Sequence, residues 1–143
     1  MNIEPKKKAI IIEDFKLISD IWKFTLEKEG FHVIKVFDHA ENIENEILLD
    51  RPDIILMDIN LRGEKTGLDL TLSLLERDPS LRILMLTIHN EPSYIQKAIN
   101  AGVSGYLTKN ASIIQLKNAI QTITNGGNYF INDNNGNTST MSK

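Results

Sequence analysis

The stretch IILMD at residues 54–58 decides the fold of this chain, because four consecutive apolar residues end in a carboxylate. A short apolar run between turn-forming residues is typical of a strand that is buried on both faces of a parallel sheet. Open α/β sheets bind ligands in the crevice at the carboxyl ends of their strands. Asp58 is therefore the first candidate for a functional residue, and a carboxylate that only caps a loop is the alternative.

The same alternation of strand and helix patterns continues on both sides of this stretch. Apolar and β-branched runs predict four further strands, at residues 9–12, 31–37, 82–87 and 105–108. Helical spacing of apolar residues predicts five helices, at residues 17–29, 39–49, 67–77, 92–101 and 113–125. Regular alternation of this kind predicts an α/β fold in which helices cover both faces of a parallel sheet. We therefore predict a doubly wound, flavodoxin-like (βα)5 sheet with strand order 2-1-3-4-5.

Two of these helices carry specific expectations. Asp38 is predicted to cap the start of the second helix, because an aspartate accepts hydrogen bonds from the first free backbone N–H groups. The third helix is predicted to face the core through Leu68, Leu72 and Leu75. Its other leucine stripe, which consists of Leu70 and Leu74, is expected to be partly exposed.

Composition limits the class of protein. A chain of 143 residues is expected to form one domain, and a net charge of −3 argues against broad electrostatic attraction to nucleic acid or to anionic membranes. There is no cysteine, so disulfides and cysteine-bound zinc are excluded. No apolar run approaches the roughly 20 residues that span a bilayer, and the charged start of the chain lacks the apolar segment of a signal peptide. These features lead us to expect a cytoplasmic protein without a membrane partner.

The end of the chain differs in composition from the rest. The segment NDNNGNTSTMSK, which starts at Asn132, is too polar to pack against a core. We expect a folded domain over residues 7–127 and a disordered polar tail, or the start of a linker, over residues 128–143.

Polar and charged residues stand where four of the predicted strands end. Glu13 and Asp14 follow the first strand, Asp58 ends the third, Thr87 ends the fourth, and Lys109 follows the fifth. The first and third strands are neighbours in the predicted order, so three carboxylates converge and require a cation or protonation. Oxygen ligands of this kind suit Mg²⁺ or Mn²⁺. A metal, an ammonium group and a hydroxyl are the parts that hold a phosphoryl group, and a carboxylate can itself accept one.

At this point the sequence resembles the receiver domain of two-component response regulators, over about residues 7–127. The resemblance rests on five features in the family's order, each at a strand end: the acidic pair Glu13-Asp14, Asp58 within ILMDINL, Thr87 within MLTIHN, and Tyr106 and Lys109 within GYLTKN. It extends to GVSGYLTKNAS and NAIQTITNGGNYF, which resemble receivers that precede a helix-turn-helix DNA-binding domain.

The resemblance implies a role for each of these residues. Asp58 would accept the phosphoryl group, and Lys109 would pair with the phosphoryl oxygens. Thr87 would move to hydrogen-bond the same oxygens, and Tyr106 would be the aromatic switch that turns inward in response. Mg²⁺ would be bound directly by Asp14, Asp58 and the backbone carbonyl of Asn60. Glu13 would bind the ion either directly or through a water molecule.

The resemblance also implies partners. The phosphoryl donor would be a sensor histidine kinase or a phosphotransfer protein, and the phosphorylated chain would control a partner protein or an output domain. A phosphorylation-dependent homodimer is a further possibility. The chain itself would bind no nucleic acid, and it would be a signalling domain rather than an enzyme, because it would assist only its own phosphorylation and dephosphorylation.

Three positions depart from the family's pattern. Arg62 stands where receivers commonly carry proline, and the loop LRGEKTG is one residue longer than the usual form. Ile88 follows Thr87 where small residues are common, and Asn110 follows Lys109 where proline is usual. These departures concern the shape of the site rather than the identity of the acceptor.

Two other classes of function share parts of this pattern. A small phosphatase with an aspartyl nucleophile would commonly carry a second acid two residues after the nucleophile, where this chain has Asn60. A flavin carrier of the same topology would need a loop rich in glycine and hydroxyl groups after the first strand, where this chain is acidic.

Overall fold

The computed structural model describes residues 6–88, 92–132 and 137–139, and it describes side chains for residues 6–88 and 92–130. Within those ranges there are seven strands: β1 (Lys7–Ile12), β2 (Phe31–Phe37), β3 (Ile54–Asp58), β4 (Ile83–Thr87), β5 (Gly105–Thr108), β6 (Tyr129–Asn132) and β7 (Asn137–Ser139). Five helices separate the first six strands: α1 (Lys16–Lys28), α2 (Glu44–Asp50), α3 (Gly67–Arg77), α4 (Pro92–Ala101) and α5 (Ile113–Thr124).

All strands belong to one sheet with the order β2-β1-β3-β4-β5-β6-β7. Every pair from β2 to β6 is parallel, and β7 runs antiparallel to β6. The predicted flavodoxin-like fold, with the order 2-1-3-4-5 for its first five strands, is therefore confirmed. The strand order reverses direction between β1 and β3, and this switch point is where open α/β sheets form a binding crevice.

The sheet separates two hydrophobic cores, as expected for a sheet covered on both faces. One core lies under α1 and α5 and is represented by Trp22 and Ile120. The other lies under α2, α3 and α4 and is represented by Ile47 and Leu74. Neighbouring residues of one strand, such as Ile10 and Ile11, alternate between the two cores, which explains why the strands are apolar on both faces.

The last strands were not expected from the sequence. Tyr129 and Phe130 are buried, and β6 continues the sheet beyond β5, so the sheet is longer than the five strands we predicted. These two aromatic residues supply the apolar surface that the polar segment after Asn132 lacks. Residues 133–136 and 140–143 of the expected tail lie outside the described residues, and the domain boundary at 127 stays a prediction.

The start of α2 was predicted wrongly. Asp38 does not cap this helix, because its carboxylate instead contacts Nδ1 of His39 at 2.9 Å. Asn42 adopts a left-handed conformation with φ of 60°, which interrupts any helix that begins before it. The helix therefore begins at Glu44.

The buried face of α3 was also partly wrong. Leu70 and Leu74, which we expected to be partly exposed, are fully buried, whereas Leu72 is 45% exposed. The reason is that α3 packs against α2 and α4 as well as against β3, so its buried face is wider than one stripe and is rotated. Thr66 and Asp69 cap this helix reciprocally, which sets its start beside the end of β3.

No helix within the described part of the chain is both long enough and apolar enough to cross a bilayer.

Candidate functional site

The three carboxylates predicted at the strand ends do meet in the structure. Glu13, Asp14 and Asp58 each offer a carboxylate oxygen, and these three oxygens lie within 4.8 Å of one another. Parallel register brings them together, because Ile12 of β1 pairs with Met57 of β3, the residue before Asp58. Glu13 and Asp58 are buried and Asp14 is half-buried, so the cluster opens toward solvent on the Asp14 side.

Lys109 supplies the positive charge next to this cluster. Its Nζ lies 2.6 Å from Oε1 of Glu13 and 3.2 Å from Oδ2 of Asp58. The approach is that of an ion pair rather than of aligned hydrogen bonds, because neither oxygen accepts a hydrogen bond from the described residues. Nζ also lies 5.9 Å from the ring centre of Trp22, the only tryptophan in the chain. The indole ring therefore borders the charged site.

Burial and charge shift the protonation equilibria of this pair. Burial raises the pKa of Glu13 to about 7, a shift that the neighbouring charge of Asp58 increases and that Lys109 partly offsets. Burial lowers the pKa of Lys109, but the contacts with Glu13 and Asp58 outweigh it and leave that pKa above its usual value. Lys109 is thus held in its charged form, whereas Glu13 titrates near neutral pH in the absence of a metal ion.

A short chain of hydrogen bonds links the other oxygen of Asp58 to Thr87. The backbone N–H of Asn60 donates to Oδ1 of Asp58 at 3.1 Å. The side-chain amide of Asn60 donates to Oγ1 of Thr87 at 3.2 Å. Asn60 therefore orients the carboxylate with its backbone and the Thr87 hydroxyl with its side chain.

Tyr106 lies inside the protein in this structure. Its side chain is fully buried in the core beneath α2, α3 and α4. It pairs in register with Met85, two residues before Thr87, so Tyr106 and Thr87 lie on the same face of adjacent strands. All seven site residues predicted from the sequence are therefore at one end of the sheet or, for Tyr106, directly behind it.

The structure adds residues that sequence reasoning did not place at the site. A Cβ atom on Gly67 would lie 1.9 Å from the backbone oxygen of Asp58, and the Gly67 N–H donates to the carbonyl of Ile59 at 2.9 Å. Arg62, noticed only as a departure from a pattern, lies with Nε 3.4 Å from Oδ2 of Asp14. The helical spacing of Trp22 signalled only a core position. No local pattern identifies the contacts of Arg62 and Trp22, because they join segments that are distant in the sequence, and the Gly67 contact depends on how the loop after β3 folds back.

The donor set fits a hard divalent cation. Three carboxylates supply oxygen ligands, which Mg²⁺ prefers, and two of their buried oxygens accept no hydrogen bond from the described residues. Both oxygens are ion-paired with the Lys109 ammonium, so the need for a further cation comes from the charge balance of the cluster. One lysine offsets only part of the combined negative charge.

Comparison with known protein families gives one family match over most of the chain. The family model described as response regulator receiver domain matches residues 9–121. A transcriptional regulatory protein, DegU of Brevibacillus brevis, is 34% identical over 128 residues, which cover 89% of this chain and 54% of the relative. The transcriptional regulatory protein MctR of Rhizobium johnstonii is 31% identical over 133 residues, which cover 91% of this chain and 61% of the relative. The chain thus spans between half and two thirds of the length of these relatives.

Solved structures of the same shape agree with this match. A LuxR-family two-component response regulator from Aurantimonas sp. SI85-9A1 superposes with a TM-score of 0.78 at 28% identity, over 85% of this chain and 87% of that one. The isolated REC domain of RcsB from Salmonella enterica serovar Typhimurium, solved with the phosphomimetic BeF3⁻, gives a TM-score of 0.79 at 21% identity, over 88% of this chain and 94% of that one. The second likeness concerns the fold alone.

Proposed function

This chain belongs to the response regulator receiver domain family of two-component signalling, and we propose that it is a phosphorylation-controlled switch whose phosphoryl acceptor is Asp58. One observation carries the proposal. Asp58 lies at the meeting point of two other carboxylates and one ammonium group, and its buried Oδ2 accepts no hydrogen bond from the described residues. That oxygen faces the Lys109 ammonium, so a nucleophile and a positive charge for the transferring oxygens lie side by side.

The acidic cluster is proposed to hold Mg²⁺. Asp14, Asp58 and the backbone carbonyl of Asn60 would bind it, and Glu13 would bind directly or through water. When bound, the ion supplies positive charge that offsets the carboxylates and the oxygens of an incoming phosphoryl group. Members of this family generally depend on Mg²⁺, and a cluster of three carboxylates beside one ammonium group supports the same requirement here.

The transfer step is proposed to use the groups around Asp58. Its Oδ2 attacks the phosphorus of a phosphohistidine, an O–P bond forms, the P–N bond breaks, and the electron pair of that bond returns to the imidazole. The ammonium group of Lys109, 3.2 Å from Oδ2, stabilises the charge on the transferring oxygens. The donor would be a sensor histidine kinase or a phosphotransfer protein.

The switch is proposed to begin at Thr87. In the unphosphorylated chain its hydroxyl accepts a hydrogen bond from Asn60. A phosphoryl group on Asp58 offers a new acceptor, and movement of Thr87 toward it changes the space available to Tyr106 on the adjacent strand. The phosphoryl group then stabilises one of two arrangements, which is a population shift.

The output of the switch is part of the proposal. The relatives named above are transcriptional regulators, and they extend well beyond the matched region. By analogy, phosphorylation of this chain would promote a homodimer, or would control a partner protein or an output domain. The protein would work in the cytoplasm as a signalling domain that assists only its own phosphorylation and dephosphorylation.

Intact-mass spectrometry after incubation with acetyl phosphate and Mg²⁺ tests the acceptor. We expect the mass of one phosphoryl group to be added to the wild-type chain and to be absent from Asp58→Asn. Asp53→Asn is the matched control, because Asp53 precedes β3 at the opposite end of the same strand. Addition to Asp58→Asn, or no addition to the wild type, would contradict the proposal. Sustained hydrolysis of a phosphoester without a stable phosphorylated chain would instead indicate a phosphatase.

A further inference from the structure

Arg62 holds a charged contact with one of the carboxylates that we propose as metal ligands. Its Nε lies 3.4 Å from Oδ2 of Asp14, although the Arg62 side chain is 87% exposed and has room to point elsewhere. Arg62 also contributes, after the dominant contact with His39, to lowering the pKa of Asp38. The guanidinium group therefore lies beside Asp14, the most exposed carboxylate of the acidic cluster.

The loop that carries Arg62 is tied down on both sides. On one side, the buried residues Ile59 and Leu61 fix its first part in the core, so Arg62 must start from a defined position. On the other side, the backbone N–H of Lys65 donates to Oε1 of Glu41 at 3.4 Å, and Nζ of Lys65 lies 2.5 Å from Oε2 of Glu44.

Gly63 permits this path. It has φ of +106°, and a Cβ atom at that position would lie 2.2 Å from Oε1 of Glu41. A residue with a side chain would be strained there, and it would also displace the carboxylate that holds Lys65. The segment between Leu61 and Lys65 therefore follows a defined path, and on that path the Arg62 side chain lies beside Asp14.

A guanidinium group and a divalent cation compete for the same carboxylate. Asp14 is the most accessible of the three acids, with its side chain 17% exposed, so it is the entry side for a metal ion. We propose that Arg62 acts as a built-in cation that pairs with Asp14 in the metal-free protein and must be displaced when Mg²⁺ binds. This inference rests on the proposed metal site, and it makes Arg62 a residue that sets metal affinity rather than a catalytic residue.

The size of the effect follows from the exposure of Arg62. An exposed ion pair contributes little, and a unit positive charge several ångströms from a divalent ion in a largely aqueous environment repels it modestly. Together these effects predict that removal of the Arg62 charge tightens Mg²⁺ binding roughly two- to tenfold. Added monovalent salt should reduce the difference, because exposed charges are screened.

The test is a Mg²⁺ titration of the full 143-residue chain by calorimetry and by Trp22 fluorescence, with no phosphoryl donor present. Arg62→Gln removes the charge, and Arg62→Lys retains it. Arg77→Gln removes the same charge at the far end of α3, about 15 Å along the helix axis from Gly67. We expect tighter binding in Arg62→Gln, binding within about twofold of wild type in Arg62→Lys and Arg77→Gln, and a larger increase of the melting temperature with Mg²⁺ in Arg62→Gln.

The possible failures are distinguishable. Equal Mg²⁺ affinity in wild type and Arg62→Gln, or weaker binding in the variant, overturns the role of Arg62 and leaves the metal site intact. If Arg77→Gln tightens Mg²⁺ binding to the same extent, the effect comes from net charge alone. That result also overturns the role of Arg62. No Mg²⁺ binding by either the wild type or Arg62→Gln contradicts the metal site itself, and the role of Arg62 is then rejected with it.

Discussion

The α-carbon of Gly67 packs against the backbone carbonyl of Asp58, so closely that a Cβ atom would lie 1.9 Å from the carbonyl oxygen and 2.9 Å from Cα of Ile59. Gly67 is also the first residue of α3, and its N–H donates to Ile59. The start of α3 is therefore in direct backbone contact with the proposed phosphoryl acceptor, and only a residue without a side chain fits there.

Gly67→Ala should disturb the site through this contact. The methyl group has to displace the backbone of Asp58 or Ile59, so we expect a loss of roughly 1–3 kcal/mol in the free energy of unfolding. We also expect slower phosphorylation by acetyl phosphate per folded molecule, because Asp58 moves relative to Lys109. Urea denaturation and intact-mass kinetics measure the two effects.

Gly30→Ala is the control for this variant. Gly30 has φ of +89° and open space around its α-carbon, so alanine costs about 1 kcal/mol through backbone strain alone. Its phosphorylation rate should stay at the wild-type value. A Gly67→Ala chain that is destabilised but phosphorylated normally would show that the contact supports the fold and not the acceptor.

Lys109→Gln should leave two buried carboxylates without their cation. Breaking a buried ion pair from one side is costly, and we expect the free energy of unfolding at pH 8 without Mg²⁺ to fall by roughly 2–4 kcal/mol. Lys16→Gln removes an exposed ion pair with Asp20 and should cost at most about 0.5 kcal/mol. Mg²⁺ should restore part of the loss in Lys109→Gln only. Equal losses in the two variants would mean that the Lys109 contacts are no stronger than a surface pair.

The raised pKa of Glu13 predicts a pH dependence of stability. In the folded chain the pKa of Glu13 is about 7, whereas in the unfolded chain it has its usual value of 4.5. Between these two pH values the folded state therefore holds more protons than the unfolded state. The stabilisation is fully present below about pH 4.5 and is lost as pH rises through 7. The shift corresponds to about 3 kcal/mol at most. Urea midpoints of wild type and Glu13→Gln, compared between pH 5 and pH 8 without Mg²⁺, measure this contribution as the difference between their slopes.

The same carboxyl group should make Mg²⁺ binding depend on pH. A metal ion binds the deprotonated form, so the Mg²⁺ affinity of the wild type should rise between pH 6 and pH 8. Saturating Mg²⁺ should also flatten the fall in stability over that interval. Glu13→Gln should show a weaker pH dependence of Mg²⁺ affinity, and a dependence identical to that of the wild type would assign the titration to another group.

The hydrogen bond between Asn60 and Thr87 should oppose the switch. Asn60→Ala removes the donor that holds the Thr87 hydroxyl in the unphosphorylated arrangement, a bond that contributes roughly 0.5–1.5 kcal/mol. We therefore expect beryllofluoride, a phosphoryl mimic, to bind the variant up to about tenfold more tightly in the presence of Mg²⁺. In a Thr87→Val background Asn60→Ala should have little further effect. An equal effect in both backgrounds would show that Asn60 acts independently of Thr87.

Much of the fold and site was available from local sequence patterns. Apolar runs such as IILMD identify strands that are buried on both faces, and the polar residue at the end of each run is carried to the same edge by parallel pairing. The convergence of Glu13, Asp14 and Asp58 followed from strand order alone, and the structure confirms it. The roles assigned to these residues in phosphoryl transfer remain predictions.

The errors arise where contacts with other segments, or a backbone conformation without a strong sequence signal, decide the local structure. The left-handed turn at Asn42 delays α2 until Glu44, and neither position carries a local signal strong enough to overrule Asp38 as a cap. Leu72 is exposed because it lies outside the face that α3 packs against α2, α4 and β3, and helical periodicity alone does not reveal how that face is rotated. The strand β6 forms because Tyr129 and Phe130 find an open edge at β5.

The sequence by itself determined which residues end the strands of this protein, because strand and helix periodicity are local properties of the chain. Tertiary structure alone decided how tightly those ends are enclosed. The close approach of Gly67 to Asp58, the position of Arg62 beside Asp14 and the burial that raises the pKa of Glu13 all depend on where separate loops pack. Chemical identity is therefore encoded locally, whereas the affinity, protonation and geometry of the site arise from packing between separate segments of the chain.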